Sequence, residues 1–145
     1  MRVLFYQLSR DPAEAVLPLI ARKTLAEGRR LLVVSADAPQ RDRISRALWS
    51  LGGETFLANG HAGEGQEDRQ PILLSEVPRP ANRATYLALA DGVWREGEQP
   101  FARTFYLFDD ATVQEARRVW RDLRGRQGIE QEYWKQEGGR WVKAG

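Results

Sequence analysis

Apolar and polar positions along this chain fall into two rhythms: short continuous apolar runs, and longer stretches whose apolar residues recur every three or four positions. Residues 2–8 (RVLFYQL) are a run of the first kind and read as a strand. Residues 9–12 (SRDP) turn into a helix. Asp11 suits an N-cap, Pro12 the first helical position, and Glu14 completes a capping-box-like pattern. Val16, Leu17, Leu19, Ile20 and Leu25 give that helix an apolar face, and Gly28 stops it. Pro18 is expected to kink the helix or mark its true start, because it lacks an N–H and crowds the preceding turn. Residues 30–35 (RLLVVS) are apolar on both faces, as in a parallel sheet. A helix opening at Asp37 or Ala38-Pro39 follows, with Ile44, Ala47, Leu48 and Leu51 at i, i+3, i+4 and i+7, and Gly52-Gly53 ends it.

The second half continues in the same manner. Residues 54–57 (ETFL) and 71–75 (PILLS) read as short strands on either side of a polar, Gly-rich loop at 58–70. Residues 76–83, with two prolines, are a connection. Residues 84–90 (ATYLALA) fit strand or helix, and strand is favoured because it would continue the sheet. Residues 92–99 are loop, and residues 104–108 (TFYLF) are a core strand. Residues 129–142 (IEQEYWKQEGGRWV) suit a hairpin or extended tail around Gly138-Gly139. Strands alternating with helices, and no composition shift, give one α/β domain over residues 1–145, a mostly parallel sheet covered on both faces.

The stretch after the core strand carries the most chemistry. Asp109-Asp110 end the strand, and Asp110 is placed to cap the helix that follows. Val113, Ala116, Trp120 and Leu123 form its apolar stripe, and Arg117, Arg121 and Arg124 lie beside it. Residues 115–126 hold five Arg against two acids, while the whole chain carries only +2. The basicity is local, which speaks against a general nucleic-acid coat. Charge runs are usually solvated faces. Arg beside Trp, however, grips a carboxylate or phosphate bidentately and offers an aromatic flank, so an acidic ligand with an apolar end is an equal reading.

Other chemistries have little to work with. There is no Cys and one His, His61, which excludes disulfides and thiolate sites and leaves His-based zinc sites and triads without members. No signal segment or membrane-length apolar run is visible, and a cytoplasmic protein without membrane contact is expected. The loop GHAGEG at 60–65 is neither a Walker loop nor a dinucleotide fingerprint and reads as a tight connection. His61 with Glu64 lacks a third ligand, and Asp109-Asp110 lacks the phosphate loop that magnesium chemistry needs. Asp37 after the second strand has the place of a ribose-binding acid, undercut by the same missing loop. No cofactor and no metal are expected. Trp49 sits beside the stripe of the second helix and is expected to be partly exposed; Phe56 follows nearby. If the second and third helices neighbour one another, these aromatics and the Arg row enclose an apolar pocket. Tyr133, Trp134 and Trp141 are read as packing residues over a sheet edge.

Several segments together, FYQL at 5–8, ALW at 47–49, ETFLANGHAGEG at 54–65, QPILLS at 70–75 and the long FYLFDDATVQEARRVWRDLRGRQGIEQEYWKQEGGRW at 105–141, resemble the chi subunit family of bacterial DNA polymerase III over nearly the full length, in its alphaproteobacterial form. The resemblance implies a three-layer α/β/α domain that is not an enzyme but an accessory subunit of the clamp-loader part of the replicase, at work in the cytoplasm at replication forks. It implies as partners the acidic, Phe-terminated C-terminal tail of single-stranded-DNA-binding protein and the clamp loader, reached in some bacteria through a small subunit called psi, with DNA engaged only indirectly. By the same resemblance, Arg117 grips the terminal carboxylate, Trp120 and Arg121 share its pocket, Trp49 and Phe56 form an apolar wall, and Arg124 and Arg43 meet the tail's Asp residues. Val113 stands where some relatives carry Lys, so that basic contact is missing. A reading from another class is a nucleotide- or single-stranded-nucleic-acid-binding α/β protein, a degenerate ATPase or helicase relative using the Gly-rich loop and Asp109-Asp110. A third is a direct single-stranded-DNA binder built on aromatics plus Arg.

Overall fold

The computed structural model describes residues 1–50 and 57–145. In chain order the elements are β1 (Arg2–Gln7), α1 (Ala13–Ala26), β2 (Leu31–Val34), α2 (Ala38–Ser50), β3 (Asn59–His61), a single 3-10 turn (Glu67–Arg69), β4 (Ile72–Ser75), β5 (Tyr86–Leu89), β6 (Arg103–Phe108), α3 (Val113–Arg124), β7 (Glu130–Glu137) and β8 (Arg140–Lys143). The strands make one sheet in the order β3-β4-β2-β5-β6-β1-β7-β8, parallel throughout except for β7 with β8.

The strand order decides which side each helix takes. The β1-to-β2 and β2-to-β3 crossovers run one way along the sheet; the β6-to-β7 crossover, which steps over β1, runs the other way. Right-handed crossovers in opposite directions put their helices on opposite faces. Leu31 and Val33 accordingly pack with Val16, Leu17, Ile44 and Leu48 of α1 and α2. Leu32 and Val34 face the other way, into a core with Ala116, Val119 and Leu123 of α3 and with Ala84 and Phe101 from the long loops. Both faces of β2 are therefore buried, which is why its sequence is a continuous apolar run.

Several local expectations are corrected. α1 runs unbroken through Pro18, because Val16, Leu17, Pro18 and Ile20 are buried and tertiary packing outweighs the lost backbone bond. Pro12 is the N-cap residue rather than the first helical one, and Asp11 does not cap; its carboxylate accepts from Gln136 Nε2 at 2.8 Å. An edge strand, β3, lies inside the stretch read as loop, held by parallel backbone pairing to β4 rather than by an apolar pattern. The expected strand at 54–57 and the Gly52-Gly53 stop lie outside the described residues, apart from Leu57, which is buried. The terminal hairpin forms as expected, with Gly138 and Gly139 both at positive φ, as a two-residue turn of matching twist requires.

Candidate functional site

The basic helix is set in place from its N-terminus. Asp109, not Asp110, organises the turn: its Oδ1 accepts from the N–H groups of Ala111 (3.0 Å) and Thr112 (3.2 Å) and from Thr112 Oγ1 (3.1 Å). The N-cap position belongs to Thr112, without a side-chain cap. Tyr106 Oη donates to the Gly92 carbonyl at 2.8 Å, and the Trp94 N–H donates to Glu115 Oε2 at 3.2 Å, so the loop after β5 braces the first turn of α3.

Ala116, Val119 and Leu123 form the buried seam of α3. Val119 takes the place in the seam that the apolar spacing assigned to Trp120. Trp120 is half-buried at the margin, edge-on to Phe5 (5.0 Å between centroids, 79°) and to Tyr133 (5.7 Å, 82°). Tyr133 exchanges backbone hydrogen bonds with Ala144 and Gly145 (2.7 and 3.1 Å), which brings Gly145 against the Trp120 ring. Burial raises the Tyr133 phenol above its ordinary value, and the Arg117 charge offsets that rise only in part.

The basic row then divides by its partners. Arg118 is held by Asp122 (3.0 Å) and Glu115 (3.7 Å), and Arg126 pairs with Glu96. Arg117, Arg121 and Arg124 are exposed and enter no ion pair among the described residues. Unneutralised guanidinium groups next to an aromatic margin are suited to an incoming carboxylate.

The remaining expected site residues are elsewhere. Trp49, 48% exposed, and Arg43 lie on α2, across the sheet from α3. The pocket expected between those helices is not formed, because their crossovers run in opposite directions. Arg43 is engaged by Glu14 (3.3 Å) and Asp37 (3.8 Å). Phe56 lies outside the described residues. Sequence reasoning treated Tyr133 as packing only. Its position one residue from Trp134, hence on the opposite face of a strand, was the available signal for a place beside α3.

A second candidate is the crevice at the carboxyl ends of β1, β5 and β6, about 500 Å³, where α1 and α3 leave neighbouring strands toward opposite faces. Folds of this kind bind nucleotides there. Here the loops are closed by the protein's own acceptors. Gln136 Oε1 takes the N–H groups of Ser9, Arg10 and Asp11, and Asp91 Oδ2 takes that of Ala36 (2.9 Å). In the Gly-rich loop, Glu64 and Glu67 accept from the N–H groups of His61 and Gly63. Five carboxylates, those of Asp11, Glu14, Asp37, Asp91 and Asp109, line the crevice against Arg10 and Arg43. This lining repels phosphate. Among the described residues no group of three or more His, Cys, Asp or Glu is arranged to hold a metal ion, and no helix is long and apolar enough to cross a membrane.

Comparison with known proteins adds the family. The model for the DNA polymerase III chi subunit, HolC, matches residues 1–131. The chain is also similar to the DNA polymerase III subunit chi of Escherichia coli (strain K12), 30% identical over 88 residues, which is 56% of this chain and 58% of that relative. The chain thus matches over little more than half the length of that curated relative. With a doubly covered parallel sheet and a family match across all but the last residues, the chain belongs to the DNA polymerase III chi subunit family, whose members are non-catalytic accessory subunits of the holoenzyme.

Proposed function

We propose that this chain is a replisome accessory subunit that recruits single-stranded-DNA-binding protein by gripping its acidic, Phe-terminated C-terminal tail on the exposed face of α3. The observation that carries this reading is the row Arg117, Arg121 and Arg124, exposed and without carboxylate partners among the described residues, beside the Trp120 and Tyr133 rings. In this reading Arg117 takes the terminal carboxylate, Trp120 flanks the Phe ring, Arg121 shares the pocket, and Arg124 meets an upstream Asp. Each charge-assisted contact contributes about 1.5–3 kcal/mol. Arg43 and Trp49, across the sheet, stay outside this clamp. The same role places the protein in the cytoplasm at replication forks and attaches it to the clamp loader, through psi where that subunit exists.

Titration of an acidic, Phe-terminated peptide against wild type and Arg117→Ala tests the reading. Roughly tenfold weaker binding by a folded variant is expected; unchanged affinity rules the assignment out. The nucleotide-binding alternative is opposed by the acidic, self-closed crevice, and magnesium-dependent nucleotide binding in a titration would revive it.

A further inference from the structure

On the face that carries α1, the far end of the sheet is only half covered. Between α1 and the β7–β8 hairpin runs a groove of about 760 Å³, more apolar in its lining than the crevice at the strand ends. Its floor is aromatic: Tyr6 stacks near Phe105 (6.2 Å, 23°), and Trp141 stands edge-on to Tyr6 (5.1 Å, 77°). One wall is α1, where Leu19 is 51% exposed although its neighbours Pro18 and Ile20 are buried.

Two physical constraints define what fits there. The floor strands β5, β6, β1 and β7 are each bonded on both sides, so the floor offers no free strand edge. β8, at the end of the sheet, has its open edge on the outer side of the hairpin, away from β7. A chain entering this apolar site has to satisfy its own backbone N–H and C=O groups, which a helix does and an extended segment does not. Parallel sheets are ordinarily covered by helices on both faces, and this groove lies where a further helix of the α1 layer would pack. The rim then sets the charge. Arg2, Arg22, Lys23 and Arg103 line the groove with only two carboxylates, Glu27 and Glu132. Glu27 is taken by Arg103 (3.6 Å) and the Tyr86 hydroxyl (2.7 Å), and Glu132 by Arg2 and Lys143. Arg22 and Lys23 remain exposed on α1 with no ion pair among the described residues.

We propose that this groove docks an amphipathic helix of a partner protein, its apolar stripe on Leu19, Tyr6 and Trp141 and its Asp or Glu flank on Arg22 and Lys23. The groove and the Arg117 surface lie on opposite faces, so both ligands bind at once.

The test uses the full chain and two synthetic helical peptides of about five turns with the same Leu stripe, one flanked by Glu and one by Lys. The Glu-flanked peptide is expected to bind, to gain helicity by circular dichroism, and to exceed its Lys-flanked counterpart by roughly tenfold at low salt. Leu19→Glu, at a position already exposed, is expected to weaken it roughly tenfold or more with the fold intact. Arg22→Glu combined with Lys23→Glu is expected to reverse the preference between the peptides. Arg117→Ala is expected to leave helix binding unchanged, so loss of tail-peptide binding and loss of helix binding are read separately. No binding, equal binding of both peptides, or indifference to Leu19→Glu overturns the proposal. Dimerisation of the wild type in sedimentation, abolished by Leu19→Glu, would overturn it in favour of a second copy in the groove.

Discussion

Gln136 and Asp11 clasp each other across 125 residues of sequence: Gln136 Nε2 donates to Asp11 Oδ2 at 2.8 Å, and Gln136 Oε1 accepts the Asp11 N–H at 3.2 Å. The same oxygen also accepts the N–H groups of Ser9 and Arg10. Three converging amides ahead of α1 would otherwise be an anion cradle. Here a neutral amide from β7 fills it, which ties the hairpin to the β1–α1 loop and removes the donors a phosphate would use.

Gln136→Ala is therefore expected to destabilise the protein by about 3 kcal/mol, since it strands several partly buried donors together with the Asp11 carboxylate. A urea midpoint that drops at constant m-value is the expected result. An unchanged midpoint would show that water serves the loop equally well.

The unequal pairing along α3 separates neighbouring arginines. Arg117→Ala is expected to weaken tail-peptide binding roughly tenfold, and Arg118→Ala less than about threefold, because Arg118 is already held by Asp122 and Glu115. Trp49→Ala, across the sheet, is expected to leave the affinity within about twofold. Isothermal titration of the three variants against one peptide makes the comparison; a larger loss in Arg118→Ala or Trp49→Ala than in Arg117→Ala would move the site.

Stability is expected to fall at both ends of the pH scale. Burial pushes the Asp91 carboxyl up, but the Arg95 guanidinium, bonded at 2.7 and 2.8 Å, and the Ala36 N–H outweigh it and hold the group below its ordinary value. The folded-state value being depressed, this contribution is complete above the ordinary carboxylate range, about pH 4, and is lost as pH falls through the lower folded value. Burial, with a smaller push from Glu115, raises the Tyr106 phenol well above its ordinary value. That contribution is complete below about pH 10 and is lost as pH rises toward the raised folded value. Thermal melts across pH should show a plateau with both shoulders; Asp91→Asn should flatten the acid one and Tyr106→Phe the alkaline one.

Gly92 couples the β5 loop to the basic helix. Its φ is +77°, and a Cβ there would stand 2.5 Å from Thr112 Oγ1, at the N-cap of α3. Gly92→Ala is expected to cost about 2 kcal/mol through backbone strain and the displaced Thr112. A thermal midpoint equal to wild type would show that the loop yields at no cost.

The alternation of strands and helices, the two-faced apolar runs of β2 and β6, the seam residues Ala116 and Leu123, and the hairpin turn at Gly138-Gly139 were all legible in the chain, because each rests on a periodicity or a backbone preference that acts within a few residues. The Arg row beside Trp120 was legible for the same reason. The sequence left open which guanidinium groups stay unpaired, that Val119 and not Trp120 fills the seam, and that Tyr133 joins the surface. Those outcomes depend on the exact rotation of α3 against β1 and β7. It also left open that α2 and α3 lie on opposite faces. A strand that is apolar on both sides carries no mark of which side its crossover takes; strand order and the right-handedness of the connections decide that, and strand order is settled only when residues as distant as Gln136 and Asp11 meet.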